Sequence, residues 1–203
     1  MSKVYSWRKL NEKELTRVYL DEMRRDFPPT ELKPLSMILN SEADGTAHTW
    51  GVFDGETLAA YLLMVRPAGS RVSQLDYFAV LPEYRSAGLG AQLLADLPQH
   101  ERGAQAILIE AECPDKAEDE AMAARRLGFY ARNGLRTAGY DTEMFGVHYK
   151  TLYLADGPVD EALLMQEHRF VYENTFAADK FHKYVRIPFD AKAAPGPRVP
   201  WQQ

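Results

Sequence analysis

Apolar residues recur at helical spacing through Leu15, Val18, Tyr19 and Met23, directly after Asn11-Glu12-Lys13-Glu14, a capping residue with glutamate three positions on. The pattern predicts a first helix that ends near Phe27, where Pro28-Pro29 stops it. Thr30 is placed to cap a second short helix with Leu32, Leu35, Ile38 and Leu39 on its apolar face, and Ser41 to Gly45 reads as a loop. Thr46 to Phe53 and Thr57 to Val65 then alternate or run apolar around Asp54-Gly55, a strong hairpin signal. Arg71 to Val80 is the next strand, with Asp76, Phe78 and Val80 on one face and Leu75, Tyr77 and Ala79 on the other.

A turn containing Gly88 and Gly90 opens into a helix that Leu89, Leu93, Leu94 and Leu97 face with apolar side chains and that Pro98 is expected to end. Gln105 to Glu112 forms another strand, parallel to the previous one if the helix between them is a crossover. Its period sets Leu108, Glu110 and Glu112 on one face. Asp115 to Glu120 supplies an acidic helix start, Ala121 to Asn133 the helix body and Gly134 its stop. Two last strands, Arg136 to Tyr140 and Gly146 to Leu154, meet through the polar link Asp141-Thr142-Glu143, and an opening strand at Val4 to Trp7 completes the set. This order predicts a mixed α/β fold with a central sheet of about six or seven strands flanked by helices. Residues 1–155 form that domain. Residues 156–203 add a helical extension carrying Leu163, Leu164, Phe170 and Val171, a short apolar piece Tyr184-Val185-Arg186-Ile187, and a loosely ordered proline-rich tail from Ala193.

Composition narrows the function classes. A hydrophobic content of 46% over 203 residues suits a soluble globular chain, and no apolar run approaches membrane-spanning length. With no apolar leader after Met1, a cytoplasmic protein is expected. The net charge of −5 and the absence of a basic cluster exclude nucleic acid as a natural partner and mildly favour a cationic amine. Cys113 is the one cysteine, so an intrachain disulfide is impossible, and the five histidines show no metal-ligand spacing. No metal is expected.

The segment Phe78-Ala79-Val80 running into Arg85-Ser86-Ala87-Gly88-Leu89-Gly90-Ala91 has the layout of a pyrophosphate cradle. Main-chain N–H groups at a helix N-terminus lack intrahelical partners and carry partial positive charge. Glycine lets the backbone approach an anion closely or take positive φ, and Arg85 adds a forked cation at the rim. A dinucleotide fingerprint would need a third glycine where Leu93 stands, and the Gly-Lys-Ser/Thr of a P-loop occurs nowhere.

Arg85-x-x-Gly88-x-Gly90 resembles the acetyl-CoA-binding motif of the GNAT N-acetyltransferase superfamily, and Phe129-Tyr130 followed by Gly134-Leu135 resembles its second signature. The resemblance spans roughly residues 4 to 155 and implies a GNAT fold with acetyl-CoA as co-substrate. It implies acetyl transfer to a primary amine of a small molecule or peptide by direct attack in a ternary complex. Tyr130 inherits the role of proton donor to the departing thiolate, and the main-chain N–H groups of Phe78 to Val80 that of oxyanion donors. The sequence departs from the family where many members carry Asn and a small residue, seven and four positions before this tyrosine; here Ala123 and Arg126 stand there. Arg125 or Arg126 is a candidate for the CoA phosphates, or part of a solvated basic face; Ser86 replaces a frequent glycine.

Deprotonating an ammonium of lysine type, with a pKa near roughly 10.4, calls for a carboxylate acting directly or through water. Asp76, Glu110 and Glu112 are the candidates, Glu112 ahead because it ends its strand. The resemblance places acceptor specificity in the first two helices, their linker and the final hairpin, with Arg24, Arg25, Trp50, Tyr61, Tyr140 and His148 as candidate lining residues. Two rival readings are a non-catalytic acyl-CoA-binding or regulatory module, and an interaction protein whose C-terminal helix packs on a second subunit as a homodimer.

Overall fold

Asn11 and Glu14 close the expected capping box in the computed structural model, which describes residues 3–193 and 196–197. The Asn11 side chain accepts from the Glu14 N–H at 3.0 Å, and the Glu14 carboxylate accepts from the Asn11 N–H at 3.1 Å. The described residues divide into two units, one holding residues 3–65 and 75–97, the other 66–74, 98–193 and 196–197. In the first, β1 (Ser6–Lys9) precedes α1 (Glu12–Val18), a π-helical turn (Tyr19–Met23), α2 (Arg24–Asp26) and α3 (Leu35–Ala43). Then come β2 (Ala47–Asp54), β3 (Thr57–Val65), β4 (Val72–Val80) and α4 (Leu89–His100). β1 and β3 flank β2 in antiparallel register, with Trp7 opposite Val52 and Gly51 opposite Tyr61. Leu15, Met23, Leu62, Met64, Leu93 and Leu94 are fully buried and form this unit's core.

The second unit contains β5 (Ala106–Glu112), α5 (Glu120–Arg132), β6 (Arg136–Met144), β7 (Val147–Leu154), α6 (Glu161–Glu173), α7 (Ala178–Tyr184) and β8 (Val185–Arg186). β7 pairs antiparallel with β5 and with β6, and β6 also pairs with β8. The mixed sheet has eight strands in the order β1-β2-β3-β4-β5-β7-β6-β8. The eighth, β8, comes from the extension and raises the expected count.

Several boundaries move for identifiable reasons. The opening strand lies at Ser6–Lys9 rather than Val4 to Trp7, set by its pairing with Trp50 to Phe53. The second helix starts after Pro34, not at Thr30, because a residue preceding proline is driven out of the α region and Lys33 stands there. That helix also runs to Ala43, through part of the expected loop. Pro98 lies inside α4; so near the helix end its missing N–H forfeits little. Asp141-Thr142-Glu143 is strand rather than link, since each side chain finds a partner: Lys150, Glu110 and Arg186 respectively. The reversal falls instead at Phe145-Gly146, both at positive φ. Of the proline-rich tail, all but Ala193, Gly196 and Pro197 lies outside the described residues.

The extension is held by a carboxylate. Glu110 on β5 meets Thr142 Oγ1 at 2.5 Å through one oxygen, and Tyr172 Oη at 2.5 Å and Gln74 Nε2 at 3.0 Å through the other. His168 Nε2 of α6 lies 3.4 Å away, and its Nδ1 is 3.2 Å from the Tyr140 hydroxyl. Burial alone would raise the Glu110 pKa, but the charge of His168 and the hydrogen bonds outweigh it and hold the carboxyl below its ordinary range. Leu164, His168, Val171 and Tyr172 of α6 are buried within the chain, so this helix face is not offered to a second subunit.

A depressed carboxyl pKa contributes stability that is complete above the unfolded value, near roughly 4.3, and is lost as pH falls through the folded value. Glu110→Gln is therefore expected to cost about 1–3 kcal/mol at pH 7 and progressively less under acid conditions. Urea denaturation at both pH values checks this; an equal loss at each would remove the charge from the account.

Candidate active site

β4 delivers its last residues, Phe78, Ala79 and Val80, to a single 3₁₀ turn at Pro82–Tyr84, after which the chain reaches the cradle. Ser86 has φ of 63° and Gly88 φ of 80°. Two left-handed positions so close together turn successive N–H groups toward one concave side, the geometry of an anion nest. The first i to i−4 bond of α4 runs from the Gln92 N–H to the Gly88 carbonyl at 3.1 Å, leaving the N–H groups of Leu89, Gly90 and Ala91 in the unpaired first turn. A Cβ built at Gly88 would meet no atom within 4 Å. The concavity is open, and a pyrophosphate fits the donors around it. Gly90 lies inside α4, so its use is space rather than positive φ.

Arg85 is braced rather than free. Its Nε donates to the Val80 carbonyl at 2.8 Å and one Nη to Asp26 at 3.1 Å, leaving the other Nη for a ligand. Asp26 also pairs with Arg25 and accepts from the buried Tyr61 hydroxyl at 3.0 Å. Burial and that neighbouring carboxylate push the Tyr61 phenol up, so it stays a donor.

The three carboxylates separate. Asp76 is bound to Lys33 Nζ at 2.6 Å, with both side chains about nine-tenths buried. Glu110 is saturated by its donors. Glu112 ends β5, is half-buried, and its side chain has no hydrogen bond or ion pair among the described residues. Strand alternation puts Glu112 opposite Tyr149, while Ala111 and Lys150 occupy the other face with Asp141 and His148.

Tyr130 sits near the end of α5 with its ring buried against Phe129. Its hydroxyl has no hydrogen-bond partner among the described residues. Burial pushes the phenol pKa up, more strongly than Arg126, one turn away, pulls it down. Tyr130 therefore keeps its proton at neutral pH. Arg126 is exposed.

A recess of about 420 Å³ in the first unit is lined by Tyr19, Arg24, Phe27, Pro29 and Leu32. Its walls are pinned: the Tyr19 hydroxyl donates to the Lys33 carbonyl at 3.0 Å, and the Tyr77 hydroxyl accepts from the Lys33 N–H and donates to the Glu31 carbonyl. A cavity of about 680 Å³ in the second unit, by the start of β5, contains none of the candidate residues. Of the other expected lining residues, Tyr140 serves the His168 contact, while the Asp141 carboxylate accepts from His148 Nε2 at 2.8 Å. Trp50 stacks edge-on with Trp7.

Asp26, Lys33, His168 and Tyr172 had not been singled out from the sequence. No local pattern marks them, because their partners lie 59, 43, 58 and 62 residues away respectively. Among the described residues no group of acidic, histidine and cysteine side chains could hold a metal ion, and no helix is long and apolar enough to cross a membrane.

Comparison with known proteins matches residues 5–129 to the model of the acetyltransferase (GNAT) family. A GNAT-family acetyltransferase from Bacteroides thetaiotaomicron superimposes with a TM-score of 0.66 at 20% identity, covering 85% of this chain and 99% of that one. The ribosomal-protein-S18-alanine N-acetyltransferase of Escherichia coli gives 0.57 at 18% identity, with 78% and 97% covered. The PaiA N-acetyltransferase of Thermoplasma acidophilum, solved with coenzyme A, gives 0.52 at 16% identity, with 75% and 99% covered. At these identities the structures share the fold. No curated protein matches the sequence.

Proposed function

Because the chain belongs to the acetyltransferase (GNAT) family, whose members use acetyl-CoA, we propose that it moves an acetyl group to a primary amine of a small molecule or peptide by direct attack in a ternary complex. The observation that carries this reading is the open nest at Ser86 to Ala91, with Gly88 at positive φ and unpaired helix N–H groups beside it. Acetyl-CoA supplies the activated acyl group. Arg85 and the first-turn N–H groups hold the pyrophosphate, and Arg126 is a further contact for the cofactor.

The remaining roles follow from which groups are uncommitted. Glu112 takes the proton of the acceptor ammonium, since a carboxylate already saturated by donors, like Glu110, or neutralised by a lysine, like Asp76, is a poor acceptor. Main-chain N–H groups of Phe78 to Val80 stabilise the charge that gathers on the carbonyl oxygen as nitrogen attacks carbon. As the carbon–sulfur bond breaks, Tyr130 gives its proton to the sulfur. Its raised pKa keeps that proton available.

Thiol release with acetyl-CoA over an amine panel tests the activity. Tyr130→Phe is expected to lower kcat by about a hundredfold or more while the Kd for acetyl-CoA holds. Gly88→Val is expected to raise that Kd by about tenfold or more, read by calorimetry, because the new side chain fills the nest. Tight acetyl-CoA binding with no turnover of any amine would favour the non-catalytic binding module, and an unchanged Kd in Gly88→Val would displace the pyrophosphate from this turn.

A further inference from the structure

The recess at Tyr19, Arg24, Phe27, Pro29 and Leu32 differs in charge from the molecule around it. The whole chain carries a net charge of −5, a field that favours cations. Among the described residues that line it, none is acidic and Arg24 is a cation. Of the carboxylates in this part of the unit, Glu22 is matched by Arg25, Asp26 by Arg25 and Arg85, and Asp76 by Lys33, while Asp21 stands three residues before Arg24 and Glu31 next to Leu32. The Arg24 side chain has no hydrogen bond or ion pair among the described residues. The recess presents the Arg24 guanidinium, not ion-paired among the described residues, beside two aromatic rings, a leucine and a proline.

Its position is tied to the reacting end of β4 from two sides. The Phe27 ring packs edge-on against Tyr77 at 4.9 Å, one residue before the N–H groups assigned to the carbonyl oxygen. Asp26, adjacent to Phe27, accepts from Arg85 of the cradle. The segment that supplies the recess leaves regular helix through the π-helical turn Tyr19–Met23, directly before Arg24. Such turns forgo good α-helical hydrogen bonds and recur where a helix builds a binding site. A volume of about 420 Å³ admits a compact ring-sized body.

We propose that the acceptor is a small amine that also bears a carboxylate on an apolar, ring-sized body, with Arg24 binding the carboxylate and Phe27 and Leu32 the apolar part. The inference rests on the acetyltransferase reading above. A guanidinium presents parallel N–H donors that match a carboxylate in two-point geometry. A polyamine placed in the same recess would bring a second cation against Arg24 with no lining carboxylate to offset it.

The test uses the full chain, saturating acetyl-CoA and three sets of acceptors: phenylalanine with other apolar amino acids, the matching amines without carboxylate such as phenethylamine, and spermidine. Amino acids are expected to give the highest kcat/KM. Arg24→Ala should raise their KM by about 10- to 100-fold, leaving kcat, the acetyl-CoA Kd and the KM of phenethylamine unchanged. Arg24→Glu should shift preference to the amine without carboxylate. Use of phenethylamine or spermidine in preference to the amino acids, or an unmoved amino-acid KM in Arg24→Ala, overturns the substrate class while the acetyltransferase reading stands. Absence of turnover on all three sets, with acetyl-CoA bound, overturns that reading and the substrate class together.

Discussion

A carboxylate inside a sheet must be surrounded by donors, because taking a bare charge out of water costs far more than a small domain can spare. Glu110 is such a group, and much of the second unit is arranged around it. Gln74 from β4, Thr142 from β6 and Tyr172 from α6 reach its two oxygens, and His168 Nε2 lies 3.4 Å from one of them. Two of these four come from the C-terminal extension. The extension is thereby part of the second unit's interior, joined to it by an electrostatic requirement as well as by the burial of Leu164 and Val171.

The same requirement sorts the acidic residues by what they are free to do. Strand alternation puts Glu110 and Glu112 on one face of β5, yet only two positions apart their environments diverge. Glu110 is enclosed under α6, whereas Glu112, at the strand end, is only half-buried and unclaimed among the described residues. Asp76 on β4 is neutralised by a lysine that the loop after α2 brings in. Of the three carboxylates, this partition leaves Glu112 as the one whose side chain is not engaged among the described residues.

Asp26 plays the corresponding part in the first unit. It receives Arg85, Arg25 and the Tyr61 hydroxyl, so the end of the first helical segment, the interior of β3 and the cradle turn share one carboxylate. Arg85 consequently works as a brace. With its Nε on the Val80 carbonyl and one Nη on Asp26, it ties the turn to the end of β4 and to the first helical segment, and only part of its fork stays uncommitted. Ser86 holds φ of 63° in this turn, a conformation that glycine takes without steric cost. The rest of the turn therefore has to maintain it.

What the sequence by itself determined is the set of features whose physics is local. The capping box at Asn11, the hairpin at Asp54-Gly55, the stop at Gly134 and the nest from Ser86 to Ala91 each depend on backbone sterics and hydrogen bonds a few residues apart, and each is legible in the order of residues. Boundaries failed where a tertiary partner outweighed local preference, as in Asp141 to Glu143, whose polar side chains are satisfied across strands rather than by solvent in a loop. Only the tertiary structure decided which carboxylate is free, which arginine is spent as a brace and which stands unpaired in a recess. Those outcomes turn on partners 43 to 62 residues distant, and a charge is neutralised by whatever the fold brings within a few ångströms, which no spacing along the chain encodes.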